Sequence, residues 1–143
     1  MKATLTISSI IIILLLAGCQ SEQGETMVLL DEKVKAVHIA ESNGLGDMNT
    51  EILQSFLDEK SISVFEKTIL TAKKQSGKID VSQPEYDLMV EYEAGEGELP
   101  THAIHLWLGE EDERSTLMYI DDDEVYLTTP AITKKLRTLL IKE

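Results

Sequence analysis

The chain has 143 residues, with 13 Lys+Arg against 26 Asp+Glu and a formal net charge of −13. Such acidity argues against nucleic acid and against electrostatic adhesion to anionic lipid, and is compatible with cationic partners. One cysteine excludes a disulfide framework, and the length suits a single domain.

Met1-Lys2 gives a short positive start, and residues 5–16 are almost wholly apolar. A charged start, an apolar run and small residues after it make a secretory signal. The run over 3–17 is 15 residues long, short of the ~20 that a membrane-spanning helix needs. Its end, Leu16-Ala17-Gly18-Cys19, resembles the lipobox of bacterial lipoproteins. That resemblance implies a diacylglyceryl group on the Cys19 sulfur and cleavage just before it, so that residues 1–18 are a lipoprotein signal peptide. Two acyl chains on one sulfur would hold a protein stably, since each buried CH₂ contributes ~0.8 kcal/mol. The part after residue 18 carries 12 Lys+Arg against 26 Asp+Glu, a net of −14.

Residues 20–25 contain no apolar side chain and read as the start of a flexible tether, taken over 19–33. Met27, Val28, Leu29 and Leu30 within it also suit a short edge strand or packing onto the domain. A single α+β domain is expected over 34–143.

Residues 34–42 are strand-like, and 43–49, with two glycines, two asparagines and an aspartate, form a loop. Residues 51–57 fit either a helix stripe of Ile52, Leu53, Phe56 and Leu57 or an alternating strand; we read a strand. Asp58 then caps a helix over 59–74, whose Ile62, Phe65, Ile69 and Ala72 recur at helical spacing. Lys73 and Lys74 fall in its last turn, and Gly77 ends it. Residues 79–84 connect to an alternating strand over 86–93. In it Tyr86, Leu88, Val90 and Tyr92 oppose Asp87, Met89, Glu91 and Glu93.

A turn over 94–100 leads to a strand over 102–108. There Ile104, Leu106 and Leu108 face one way, and Ala103, His105 and Trp107 the other. A hairpin over 115–120 and 124–128 turns at Asp121-Asp122-Asp123. Thr129-Pro130 opens a final helix with a cap and a proline at its first position. Ile132, Leu136, Leu139 and Leu140 form its apolar stripe, and Lys134, Lys135 and Arg137 point to water. The order is β-β-α-β-β-β-β-α: an α+β fold, mainly antiparallel sheet with two helices packed on one face.

Little here carries chemistry. His102 and His105 have the look of a metal pair, but a spacing of three on a strand puts them on opposite faces. No His-Glu-x-x-His, Gly-x-Ser-x-Gly, phosphate loop or dinucleotide fingerprint is present. No cofactor and no catalytic residue are assigned. Asp121, Asp122 and Asp123, with Glu124, concentrate oxygen ligands but lack the spacing of a calcium loop, so they read as a solvated turn and only a weak metal candidate. The feature that stands out is a surface. If both helices cover one sheet face, the other carries Met89, His105 and Trp107 among acidic residues, and these could bind a partner.

Several runs, Ile62-Ser63-Val64-Phe65-Glu66-Lys67-Thr68-Ile69, Gln83-Pro84-Glu85-Tyr86-Asp87-Leu88 and His105-Leu106-Trp107-Leu108, then the Tyr126 strand and terminal helix, are similar to small lipoproteins of spore-forming Gram-positive bacteria. The resemblance spans most of 50–143. It implies a domain attached to the outer face of the cell membrane and supplies no catalytic residues. The expected function is a non-catalytic binding or accessory domain on a lipid anchor, meeting another envelope protein or a peptide. The alternatives are a hydrolase with an unrecognised acidic site, and a cation-binding accessory protein using residues 121–124.

Overall fold

The computed structural model describes residues 24–142. The elements are β1 (Val34–Glu41), β2 (Ile52–Phe56), α1 (Glu59–Thr71), β3 (Lys73–Lys74), β4 (Tyr86–Tyr92), β5 (His102–Trp107), β6 (Thr116–Tyr119), β7 (Tyr126–Leu127) and α2 (Pro130–Leu140). The strands form one antiparallel sheet in the order β2-β1-β4-β5-β6-β7-β3. The expected α+β order is present, with β3 as an addition.

Both helices start as the sequence predicts. The Asp58 carboxylate accepts from the Ser61 amide at 2.9 Å, and the Thr129 hydroxyl accepts from Ile132 at 3.3 Å, ahead of Pro130. Each such cap contributes about 1 kcal/mol. The end of α1 differs. The helix stops at Thr71, Ala72 is extended and fully buried, and Lys73-Lys74 pair with Tyr126 and Leu127 of β7. Gly77 therefore lies beyond the strand, at φ +83°, and closes a turn rather than the helix. Arg137 is not simply solvated: it donates to the Gly109 carbonyl at 2.9 Å and pairs with Glu110.

Strand alternation sends Val37, Ile39, Leu88, Val90, Ile104, Leu106 and Leu117 to one face, where Phe65 and Ile69 of α1 and Leu136 of α2 cover them. All ten are essentially inaccessible to water. Burying each such side chain is worth about 1.5–3 kcal/mol, which makes this face the stabilising core.

The signal over 1–18 and Cys19 lie outside the described residues. The tether expected over 19–33 is corrected in its second half, where the chain is fixed to the domain. Met27 is 1% exposed within the core. The Tyr119 hydroxyl accepts from the Val28 amide and donates to the Val28 carbonyl, at 2.7 and 2.8 Å. The Leu30 amide donates to Tyr92 Oη, and Glu25 and Thr26 run alongside β3. Met27, Leu29 and Leu30 explain this, for they reach a core that a polar linker could not enter. The domain thus begins near Glu25.

Candidate functional site

The sheet face opposite the helices carries two rows of side chains fixed by register. One is Ser55, His38, Met89 and Ala103 across β2, β1, β4 and β5. The next is Ala40, Asp87, His105 and Met118 across β1, β4, β5 and β6. Each row holds one histidine beside a carboxylate of β4, but the two surroundings differ.

The second row is covered. Two connections fold over it: the glycine-rich loop over 43–50 and the segment over 77–85. Gly44 and Gly46 of the loop have φ of +123° and +91°, a region that favours glycine. The loop thereby turns back onto the sheet, where the Gly46 amide donates to His105 Nε2 at 3.2 Å. His105 Nδ1 lies 2.7 Å from Asp87 Oδ1, and the Asn49 amide donates to Asp87 Oδ2 at 2.9 Å. An imidazole that accepts at Nε2 must carry its proton on Nδ1 and donate it to Asp87. Both ring nitrogens are committed, and His105 and Asp87 are completely buried. The pair is a clasp for the loop.

That burial corrects the surface expected of Met89, His105 and Trp107. His105 is unavailable to a partner because the loop sits on it. Trp107 is half-buried, its ring 6.1 Å from that of His105. Its indole N–H donates to the Ser82 carbonyl at 2.8 Å, so it anchors the 77–85 segment. Met89, also half-buried, lies one row away between His38 and Ala103. The three residues share a face, as expected, but do not form one exposed patch.

Between the two connections lies an open groove of about 390 Å³. His105 and Met118 form its floor, Leu45, Ile79 and Ile120 its apolar walls, and Asp80, Asp122 and Asp123 an acidic margin beside Lys78. Leu45 and Ile79 are exposed, at 55% and 39%.

The aspartate turn has an internal explanation. Asp122 Oδ1 accepts from the amides of Asp123 and Glu124, and Glu124 pairs with Lys74 at 3.2 Å. The carboxylates that come within 4.8 Å of one another belong to Asp122, Asp123 and Glu124, so Asp121 is outside the cluster. The two metal-like histidines are separated as their spacing requires: His102 faces the core and lies 2.6 Å from Tyr92 Oη.

The first row is open and was not apparent from the sequence. His38 Nδ1 is 2.7 Å from Ser55 Oγ, and His38 Nε2 is 3.0 Å from Glu91 Oε2. Glu91 Oε1 accepts from Lys35 Nζ at 2.8 Å. Bonds from His38 and then Lys35 hold the Glu91 carboxyl below its usual range. The signal that could have revealed this row is cross-strand register: pairing β1 with β2 around the 43–50 loop sets His38 opposite Ser55.

The sequence model of a family described as YhfM protein matches residues 31–143. No curated protein matches the chain. Among solved structures, a thioesterase-like protein from Clostridium sporogenes is similar, with a TM-score of 0.61 at 12% identity over 77% of this chain and 96% of that one. At that identity the likeness is one of fold.

Proposed function

The chain belongs to the YhfM protein family, and for this member we propose a binding or accessory domain held at the outer face of the cell membrane by lipid on Cys19. The observation that supports binding is the groove between the 43–50 loop and the 77–85 segment. It combines apolar walls with an acidic margin, on a chain of net charge −13. A groove of this make-up suits a cationic segment with an apolar side chain, presented by an envelope protein or peptide.

Docking is the better reading of the groove than catalysis. His105 on its floor has both nitrogens in fixed hydrogen bonds, and Asp87 has both oxygens occupied, so neither is a base poised for a substrate. No helix among the described residues is long and apolar enough to cross a membrane, which is compatible with attachment through the sulfur. The thioesterase-like neighbour shares architecture, and architecture alone transfers no activity.

In-cell crosslinking tests the proposal. The native chain should be recovered from membranes with an acylated Cys19, and should crosslink to a partner through the 43–50 or 77–85 connection. Leu45→Glu, which charges an exposed wall of the groove, should abolish that crosslink while Cys19 acylation persists. An unmodified sulfur would overturn the anchor, and an unchanged crosslink pattern in Leu45→Glu would overturn the groove.

A further inference from the structure

The open row of the sheet carries an inference independent of the groove. Ser55, His38 and Glu91 come from three neighbouring strands, and two hydrogen bonds join them in series. Glu91, an ionised carboxylate, can only accept, so His38 carries its proton on Nε2. That leaves the Nδ1 lone pair for the hydroxyl of Ser55 at 2.7 Å. A serine donating to an imidazole whose other nitrogen is held by a carboxylate is the arrangement that activates a hydroxyl. Ser55 lies on the edge strand β2 and is exposed, so an acyl donor can reach it from solvent.

We propose that Ser55 is an activated nucleophile that accepts an acyl group from an activated ester or thioester. The Oγ lone pair attacks the acyl carbon. The Oγ–C bond forms as the C–O or C–S bond to the leaving group breaks. The Oγ proton passes to His38 Nδ1 and from there to the departing alkoxide or thiolate, which returns the imidazole to its neutral form. Glu91 stabilises the transient imidazolium.

The surroundings make this an acylation site rather than a rapid hydrolase. Backbone N–H groups of strands lie in the sheet plane, directed along the ladder, so the strand amides do not converge above Ser55 Oγ as an oxyanion hole would require. Lys35 shares the carboxylate that supports His38. The activated donor carries a good leaving group and the ester on Ser55 a poor one, so without an oxyanion hole hydrolysis is the slower half-reaction and the acyl group should persist on Ser55.

The test is p-nitrophenyl acetate at neutral pH on the full chain, with nitrophenolate release followed optically and the acetyl group located by peptide mass spectrometry. One acetyl per chain on Ser55 is expected. Ser55→Ala should remove it, and Ser55→Cys should restore acylation at position 55. His38→Gln should slow acylation by on the order of 10²–10⁴, the usual contribution of a general base, with an unchanged unfolding midpoint. Acetyl groups confined to lysines, or a His38→Gln chain that acylates at the native rate, would overturn the proposal. Loss of the groove crosslink would leave the Ser55 result intact, so the two readings fail separately.

Discussion

His38 and His105 stand on the same sheet face, each beside a carboxylate of β4, yet they are two different chemical objects. His105 and Asp87 are 0% exposed and 2.7 Å apart. His38 and Glu91 are 3.0 Å apart, with side chains 20% and 36% exposed. What separates them is the cover. Over His105 a glycine loop brings a backbone amide to the second ring nitrogen, and the pair becomes a structural tie. At His38, which keeps 20% exposure, the second nitrogen meets a serine hydroxyl instead. The same residue types yield a fastener in one place and a reactive array in the other, according to what lies on top.

The largest effect should come from cutting the covered pair. His105→Ala leaves the Asp87 carboxylate buried without its partner, and such a loss costs about 3–5 kcal/mol. Truncating His38 at its exposed pair should cost less than about 1 kcal/mol. Urea unfolding of the two alanine variants measures the gap directly. Asp87→Val combined with His105→Leu should recover only part of the loss: the apolar pair leaves no stranded charge, but the Gly46 and Asn49 amides lose their acceptors. Equal costs at the two histidines would break the comparison.

A smaller effect should follow from loosening the cover itself. Gly46 has φ +91° and nothing within 4 Å of where a Cβ would stand, so Gly46→Ala adds backbone strain without a clash. Left-handed backbone costs a side-chain-bearing residue about 1–2 kcal/mol. The chain should lose about that much stability, and the Asn49 amide bonded to Asp87 should exchange with deuterium faster. Unchanged exchange would show that the loop is held by something other than the clasp.

The smallest effect is one of pH and uses the third histidine. Burial pushes the His102 imidazole below its ordinary value of 6.5. A folded state that resists taking the proton binds fewer protons than the unfolded chain. Stability is therefore full above the ordinary value and declines as pH falls below it, towards the lowered one. An unfolding midpoint that declines from pH 7 to pH 5, and declines less steeply in His102→Phe, is the expected result. Identical slopes would assign the pH dependence elsewhere.

The sequence reading succeeded where local pattern decides. Asp58 and Thr129-Pro130 start helices by chemistry contained within four residues. Leu88, Val90, Ile104 and Leu106 declare their face by simple alternation. It failed where distant partners decide. Lys73-Lys74 look like a helix terminus, and only the presence of β7 makes them a strand. Met27 to Leu30 are apolar enough to suit packing onto the domain, but only Tyr92 and Tyr119, some 60 to 90 positions away, fix where the segment docks, through Leu30 and Val28. The site was less legible than the fold. His38 and Ser55 are 17 positions apart and follow no local spacing rule. Their meeting depends on a register that shifts at the irregularity between Ile39 and Ala40. Trp107 and His105 were placed on the correct face, but the connections that cover them carry no alternation that would disclose where they fold.

If lipid holds Cys19 as proposed, the packed segment ahead of β1 sets a standing height. With Glu25 already docked beside β3, only about six residues separate the body from a sulfur at position 19, an outstretched reach of at most ~20 Å. A protein so short-leashed would ride close against the lipid headgroups and could sample only a thin shell of the envelope. Any cationic partner would have to come to that shell, or be embedded in the same bilayer.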